Sequence, residues 1–354
     1  MKRALKVISG AALMVAMSII GACGGGGSSA PVAAAPAPVT VTYDFYVDAA
    51  TGVDTNTGTA AVADPAVANS GAVKTISKGL ALAAAMVTAN AALVPPVTAM
   101  VNVKVAPGTY SAGETFPIMM PDKVGIYGDL ANKGVGTTIN GKGAYTIPAS
   151  CTSIGGFAGT WILIIPENVT ATVSGLDLKS TGNESVGIFG ALLATIDSDT
   201  ITANGDVGIQ ACSPTASPLT LNIANSVVSG STAATGGNAA LYVGDIKSVV
   251  SARNTTFTGN NAILAGNGWG LPVLDLGTSA SPGGNTIIGG ATGVGLNVQG
   301  GIGGVNAAHN IWKKNVQGSD PVTGGYAAQI IPGPVAVVGG NNYSLATATL
   351  SVQF

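Results

Sequence analysis

NSVVSG (residues 225–230) and NTTFTG (residues 254–259) are one phrase written twice. An asparagine, a small polar residue, a β-branched pair or an aromatic, then a return to Ser/Thr and Gly describes a short strand entered from a corner. Four looser copies extend the series: GLDLKS from Gly175, SDTITA from Ser198, NTIIGG from Asn285 and HNIWKK from His309. Their uneven but steady recurrence falls within the range of periods that belongs to solenoids and propellers. A second apolar run follows most of these phrases: VGIFG from Val186, VGIQA from Val207, AALYV from Ala239, AILAG from Ala262 and VGLNV from Val294. Four-stranded blades need longer units with antiparallel hairpin signals, and these are missing. The pattern predicts an all-β chain, a right-handed single-stranded parallel β-helix whose coils each supply two or three strands. The fourth position (Leu178, Ile201, Val228, Phe257, Ile288, Trp312) should stack as an inward column, and Asn225, Asn254 and Asn285 as an asparagine ladder at a corner.

Upstream, VNVKVAPGTYSAGETFPIMMPDKVGIYGD (residues 101–129) has the same texture. VNVKVA, the run around Ile118 and VGIYG read as strands of the first coils, with Pro107-Gly108 and Pro121-Asp122 as corners. Before them, KTISKGLALAAAMVTANAA from Lys74 is rich in Ala and Leu and stops ahead of Pro95-Pro96. This predicts a helix. Its place suggests an N-terminal cap, which a solenoid needs to cover its open apolar end. At the far end Leu350, Val352 and Phe354 alternate as a last strand or cap.

FYVDAATGVDTNTGTAA from Phe45, VKTISKGLALAA from Val73 and VKVAPGTYSAGETFPIMMPDKVGIYGD from Val103 occur in that order. Together they resemble the bacterial family known as domain of unknown function 1565, one of the pectin-lyase-like β-helices. The resemblance covers the N-terminal third closely and the remaining coils as generic rungs. It implies architecture and an extracytoplasmic setting, and carries no activity. The segment Asp64–Ser70 departs from the family pattern as an insertion.

The first residues supply an address. Lys2, Arg3 and Lys6 precede an apolar stretch from Val7 to Ile20, the layout of a secretory signal too short to span a bilayer comfortably. Ile20-Gly21-Ala22-Cys23 resembles the lipobox of bacterial lipoproteins, which implies acylation of Cys23, a lipid bilayer as partner, and, with Gly24 next, the outer membrane. Residues 1–22 thus read as signal peptide and 23–42 as an acylated cysteine on a flexible Gly/Ser/Ala/Pro tether. Residues 43–354 read as the β-helix domain: cap and first coils over 43–130, coils over about 131–340, and the last strand or cap over 341–354. Without Lys2, Arg3 and Lys6, 11 basic residues face 16 acidic ones, and Arg253 is the one arginine left. That surface excludes nucleic acid as a partner. Abundant Val, Ile and Leu argue against disorder despite 52 glycines and 8 % charged residues. Cys151 and Cys212 remain in an oxidising compartment, and whether they pair depends on whether stacking of the coils brings them within reach.

Chemistry is sparse. Asp197, Asp199 and Asp206 fall on one coil and Asp177, Lys179 and Glu184 on the coil before. Stacked carboxylates of this kind could hold Ca²⁺ or serve a lyase or hydrolase, though Asp199 aligns with Leu176 and surface turns explain the same letters. His309, the single histidine, lies beside Trp312, Lys313 and Lys314 at the ladder position, with no acidic residue before it to orient a catalytic ring. Arg253 has no carboxylate on its own coil and reads as a solvated strand-edge charge. Asp54 and Asn56 begin a Ca²⁺-loop pattern that lacks its terminal Glu, or a polar turn before the helix. Trp161, Tyr242 and above all Trp269 are candidate sugar-stacking aromatics, with core packing the simpler account of Trp161. The expectation is a non-enzymatic surface protein that binds polysaccharide or another surface protein, without cofactor. Its rival is a lyase or glycoside hydrolase acting on an acidic polysaccharide.

Overall fold

The computed structural model describes residues 40–93, 97–151, 156–213, 218–232, 239–244, 247–265, 273–278, 280–290, 295–298, 304–306 and 309–314. The signal, Cys23, the tether as far as residue 39, Trp269 and the expected final strand lie outside these residues. Three sheets of nine, eight and seven strands run the length of the coils, every pairing within them parallel. Successive strands of the chain pass to successive sheets: Thr170–Ser174 to the first, Asp177–Ser180 to the second, Val186–Phe189 to the third, Leu193–Asp197 back to the first. Each strand pairs with its equivalent one coil away, so the chain is a parallel β-helix.

Side-chain alternation fills the interior. On the first sheet Phe45, Val103, Ile126, Val173, Ile196, Ile223 and Ala252 stack in register. On the second, Tyr110, Ile139, Leu178, Ile201, Val228, Phe257 and Ile287 do the same, and all are buried. Burial pushes the Tyr110 phenol up to about 12. Its hydroxyl donates to the Ala106 carbonyl at 2.8 Å, which satisfies the polar end of an aromatic core residue.

One coil, the one that begins near Asn285, is one position out from the expected register, while Trp312 on the next keeps its expected place in the column. Ile287, not Ile288, pairs with Phe257 and joins the column. The corner residue is therefore Gly284, not Asn285. Gly175, Ser198, Asn225, Asn254, Gly284 and His309 all have left-handed backbone at this corner, φ between 52° and 69°. The expected asparagine ladder there reduces to one bond, from Asn254 Nδ2 to Asn225 Oδ1 at 3.4 Å. The residue after the corner makes a different and buried ladder. Asp199, Ser226, Thr255, Asn285 and Asn310 each accept, on a side-chain oxygen, the backbone N–H of the equivalent residue one coil earlier, at 2.7–3.4 Å. The ladder gives these buried N–H groups an acceptor at the corner, where leaving one unpaired is costly.

The first strand begins at Thr40, ahead of the expected start at Tyr43. The helix spans Ile76–Ala91 and packs Ile76, Leu80 and Ala83 into the core over the first coil. A Cβ at Gly79 would stand 2.7 Å from Val47 Cγ2, so glycine lets the helix lie close on the sheet. Its N-terminus is heavily capped. Thr75 Oγ1 accepts from Lys78 N, and the Glu114 carboxylate accepts from the Ile76 and Ser77 N–H groups at 2.7 and 2.9 Å. Asp54 accepts from the N–H groups of Lys74 and Thr75. Carboxylates favour this end of the helix dipole.

One element falls outside the repeat. Gly143–Thr146 and Ala158–Trp161 form an antiparallel hairpin whose connecting segment carries Ile147 and Cys151. These residues and Trp161 bury the outward side chains Ile164, Phe189 and Cys212 of the third sheet in a second apolar cluster. Tyr145 stacks on Phe189 with ring centroids 5.8 Å apart, and Trp161 meets Phe189 edge-on at 5.5 Å. A disulfide joins Cys151 to Cys212, their Cα atoms 5.8 Å apart.

Candidate ligand-binding cleft

The acidic residues of the middle coils do not converge on one site. Asp177 is buried against Thr138 Oγ1 at 3.1 Å and pairs with Lys179 Nζ at 2.7 Å. Asp199 lies inside the helix as a rung of the ladder, and burial raises its carboxyl well above the usual range. Asp197 accepts from Asn225 Nδ2 at 2.8 Å across the corner. Glu184 and Asp206 sit at successive corners between the second and third sheets. Burial raises both, and the Asp206 charge adds to the effect on Glu184, whose Oε2 accepts the Thr160 N–H at 3.1 Å. Among the described residues no three His, Cys, Asp or Glu side chains gather as a metal site.

The other candidates are occupied with the fold. His309 takes a left-handed corner position and its carbonyl accepts from Gly284 N. Asp54 caps the helix, and Asn56 Nδ2 donates to the Ala72 carbonyl at 2.9 Å, so both belong to the polar turn. Arg253 is not a solvated charge. It pairs with Asp275 Oδ2 at 2.7 Å on the following coil, and its other donors reach the Ala252 and Asp275 carbonyls and Ser281 Oγ. Reading along one coil misses a partner that stacking supplies. Trp161 is fully buried and Tyr242 only 7 % exposed, so neither offers a ring face to solvent.

A cleft of about 650 Å³ lies elsewhere, on the outer face of the first sheet. Its floor comes from three adjacent strands, Thr40–Val47, Thr98–Val105 and Val124–Tyr127. Alternation turns one column of their side chains inward and the next outward. Tyr46, Lys104 and Tyr127 are in register on the outward face, and beside them Asp44, Asn102 and Gly125. Lys104 Nζ lies 3.2 Å from Asp44 Oδ2, and Asn102 Nδ2 donates to Asp44 Oδ1 at 2.8 Å. The Asn102 hydrogen bond, with the Lys104 ammonium behind it, holds the Asp44 carboxyl below its usual value against the opposing effect of burial. A Cβ at Gly125 would stand 2.5 Å from both Cε2 and Oη of Tyr127, so the phenol ring lies across the bare glycine.

Two rims enclose the floor. Ala61, Val62 and Ala72 form one, Gly128 and Leu130 the other. Backbone bonds from Tyr46 N to Gly58 O and from Asp48 N to Val73 O tie the first rim to the sheet. The second is a turn in which Gly134 N donates to the Asp129 carbonyl and Asn132 Nδ2 to the Asp129 carboxylate. The cleft is therefore built before any ligand arrives. The segment Asp64–Ser70 falls between Val62 and Ala72 of the first rim. The sequence shows the outward tyrosines only as alternate letters in YDFYV and VGIY. What brings them together is a register that sets Tyr46 beside Lys104 and Lys104 beside Tyr127, partners distant in the chain that no repeat announces.

A family model described as "Protein of unknown function (DUF1565)" matches residues 51–317. No curated protein and no solved structure matches the chain.

Proposed function

The chain belongs to the Protein of unknown function (DUF1565) family, a label without an activity, and from the geometry we propose a non-catalytic, membrane-anchored β-helix that binds polysaccharide outside the cytoplasm. The observation that carries this reading is the preformed cleft, where tyrosine rings and polar side chains share one concave floor. Sugars present an apolar C–H face and a fringe of hydroxyls, and such a floor complements both. The dispersal of Asp177, Asp197 and Asp199 into structural bonds supports binding without turnover. The anchor rests on the lipobox-like residues ending at Cys23, with the Gly/Ser/Pro tether to hold the domain off the outer membrane. Purified full chain in mild detergent, titrated against a panel of polysaccharides, should bind at least one saturably and release no reducing ends or unsaturated products. A panel without binding sinks the reading. Cys23→Ala should abolish labelling by a fatty acid and release the chain from the membrane fraction.

A second reading has one observation in its favour. Glu184 and Asp206 both hold their protons more tightly than ordinary carboxyls, as the general acid of a glycoside hydrolase must. Product release that disappears in Glu184→Gln and Asp206→Asn would establish it.

A further inference from the structure

We propose that the cleft on the first sheet takes a neutral pyranoside chain, stacked on Tyr127 and read by the Asp44–Asn102–Lys104 network. This rests on the polysaccharide-binding reading and narrows it to one site and one ligand class. The platform comes from a particular juxtaposition. Gly125 offers no side chain, and the far end of the Tyr127 ring occupies the space a Cβ there would need, on the lining of the cleft. Neither the Tyr127 nor the Tyr46 hydroxyl bonds to another described residue, and both residues line the space. They stand two strands apart, roughly 9.5 Å, close to the length of a disaccharide. Lys104 lies between them in the register. A cavity of about 650 Å³ is within the range that encloses a small ligand.

Charge decides the class. Lys104 is already met by Asp44 at 3.2 Å. Asp48 lines the cleft, and Asp129 lies between the rim residues Gly128 and Leu130. Among the charged residues that line the cleft, Lys104 is thus already paired and Asp48 is negative, so no free cation meets a polyuronate, whose every sugar unit would bring another negative charge. A cationic ligand would meet Lys104 in the centre of the floor. A neutral sugar meets neither obstacle. Its hydroxyls can donate to the remaining lone pairs of Asp44 and Asn102 Oδ1 and accept from Lys104 Nζ and the two phenols.

The test is calorimetric titration of the purified full chain with cellohexaose, laminarihexaose and mannohexaose, and with a galacturonate hexamer. Two variants accompany it. Tyr127→Ala removes the platform. Gly125→Ala leaves the platform's chemistry intact but places a methyl where the ring lies, and the atoms it meets are the movable far end of that side chain. At least one neutral hexasaccharide should bind, and both variants should weaken it about tenfold or more, the loss of one stacking contact, with unchanged melting temperature. Should Tyr127→Ala fold poorly, Gly125→Ala alone decides. Neutral binding that survives both variants overturns the site and leaves the polysaccharide reading standing. Binding of the galacturonate alone overturns the ligand class in the same way. No binding of any glycan removes both.

Discussion

Asp199 has a near-isostere further along its own ladder. Asn285 holds the same position, accepts the Thr255 N–H on its Oδ1, and donates through Nδ2 to the Ala252 and Leu276 carbonyls. Asp199 accepts the Leu176 N–H on Oδ1 in the same manner, but its Oδ2 is buried without a partner among the described residues. Burial raises this carboxyl, so the folded chain keeps a proton at pH values where the unfolded chain has lost it. Stability contributed in this way is complete below the ordinary aspartate value of about 4 and falls as pH rises above it. Asp199→Asn should therefore raise the melting temperature at pH 7, a gain of about 1–2 kcal/mol, and change little near the acid end of that window. Thermal unfolding at the two pH values checks this, and equal destabilisation at both would show that the second oxygen is bonded. The alignment of Asp199 with Leu176 was readable in the letters because both follow a corner residue. The Ile288 expectation failed for a related reason. Asparagine suits both the left-handed corner and the ladder behind it, so the letters alone do not distinguish Asn285 from Gly284, which holds the corner.

The hairpin formed by residues 143–146 and 158–161 has no counterpart among the described residues of the other coils, and nothing in GKGAYT announces it. Strands that alternate between core and solvent declare themselves, because one face must be apolar. A hairpin that covers the outside of a sheet instead makes both faces apolar, which blurs the alternation at Ile164, Phe189 and Cys212. The cysteines hinted at such a cover, but only their approach to 5.8 Å shows what they clasp. They close a loop across a sequence separation of 61, and restricting the unfolded chain over that length has a large effect. Cys151→Ser with Cys212→Ser should lower stability by about 2–4 kcal/mol, measured by urea unfolding. Reductant should destabilise the wild type toward the same midpoint and leave the double variant unmoved. Insensitivity of the wild type to reductant would mean that the aromatic cluster alone holds the hairpin down.

Along the solenoid each coil touches chiefly its neighbours, so stability is a chain of nearest-neighbour contacts with vulnerable ends. The N-terminal end is closed by the helix, and the helix by Thr75, Asp54 and Glu114. Glu114→Ala removes the acceptor for two helix N–H groups, at a cost of about 1 kcal/mol. In amide exchange by mass spectrometry it should speed exchange in residues 98–127 and leave residues 193–229 almost untouched. A uniform increase would mean that the coils unfold as one unit. The left-handed corner has a wider consequence. From Gly175 through Ser198, Asn225, Asn254 and Gly284 to His309 the coils differ in length, yet this corner keeps its form in all of them. It behaves as the spine of a loose-leaf binder, against which pages of unequal width are squared. Pages can be trimmed or widened at their free margins, the other two corners, without disturbing the binding. New loops, and with them new recognition surfaces, should be graftable at those margins coil by coil.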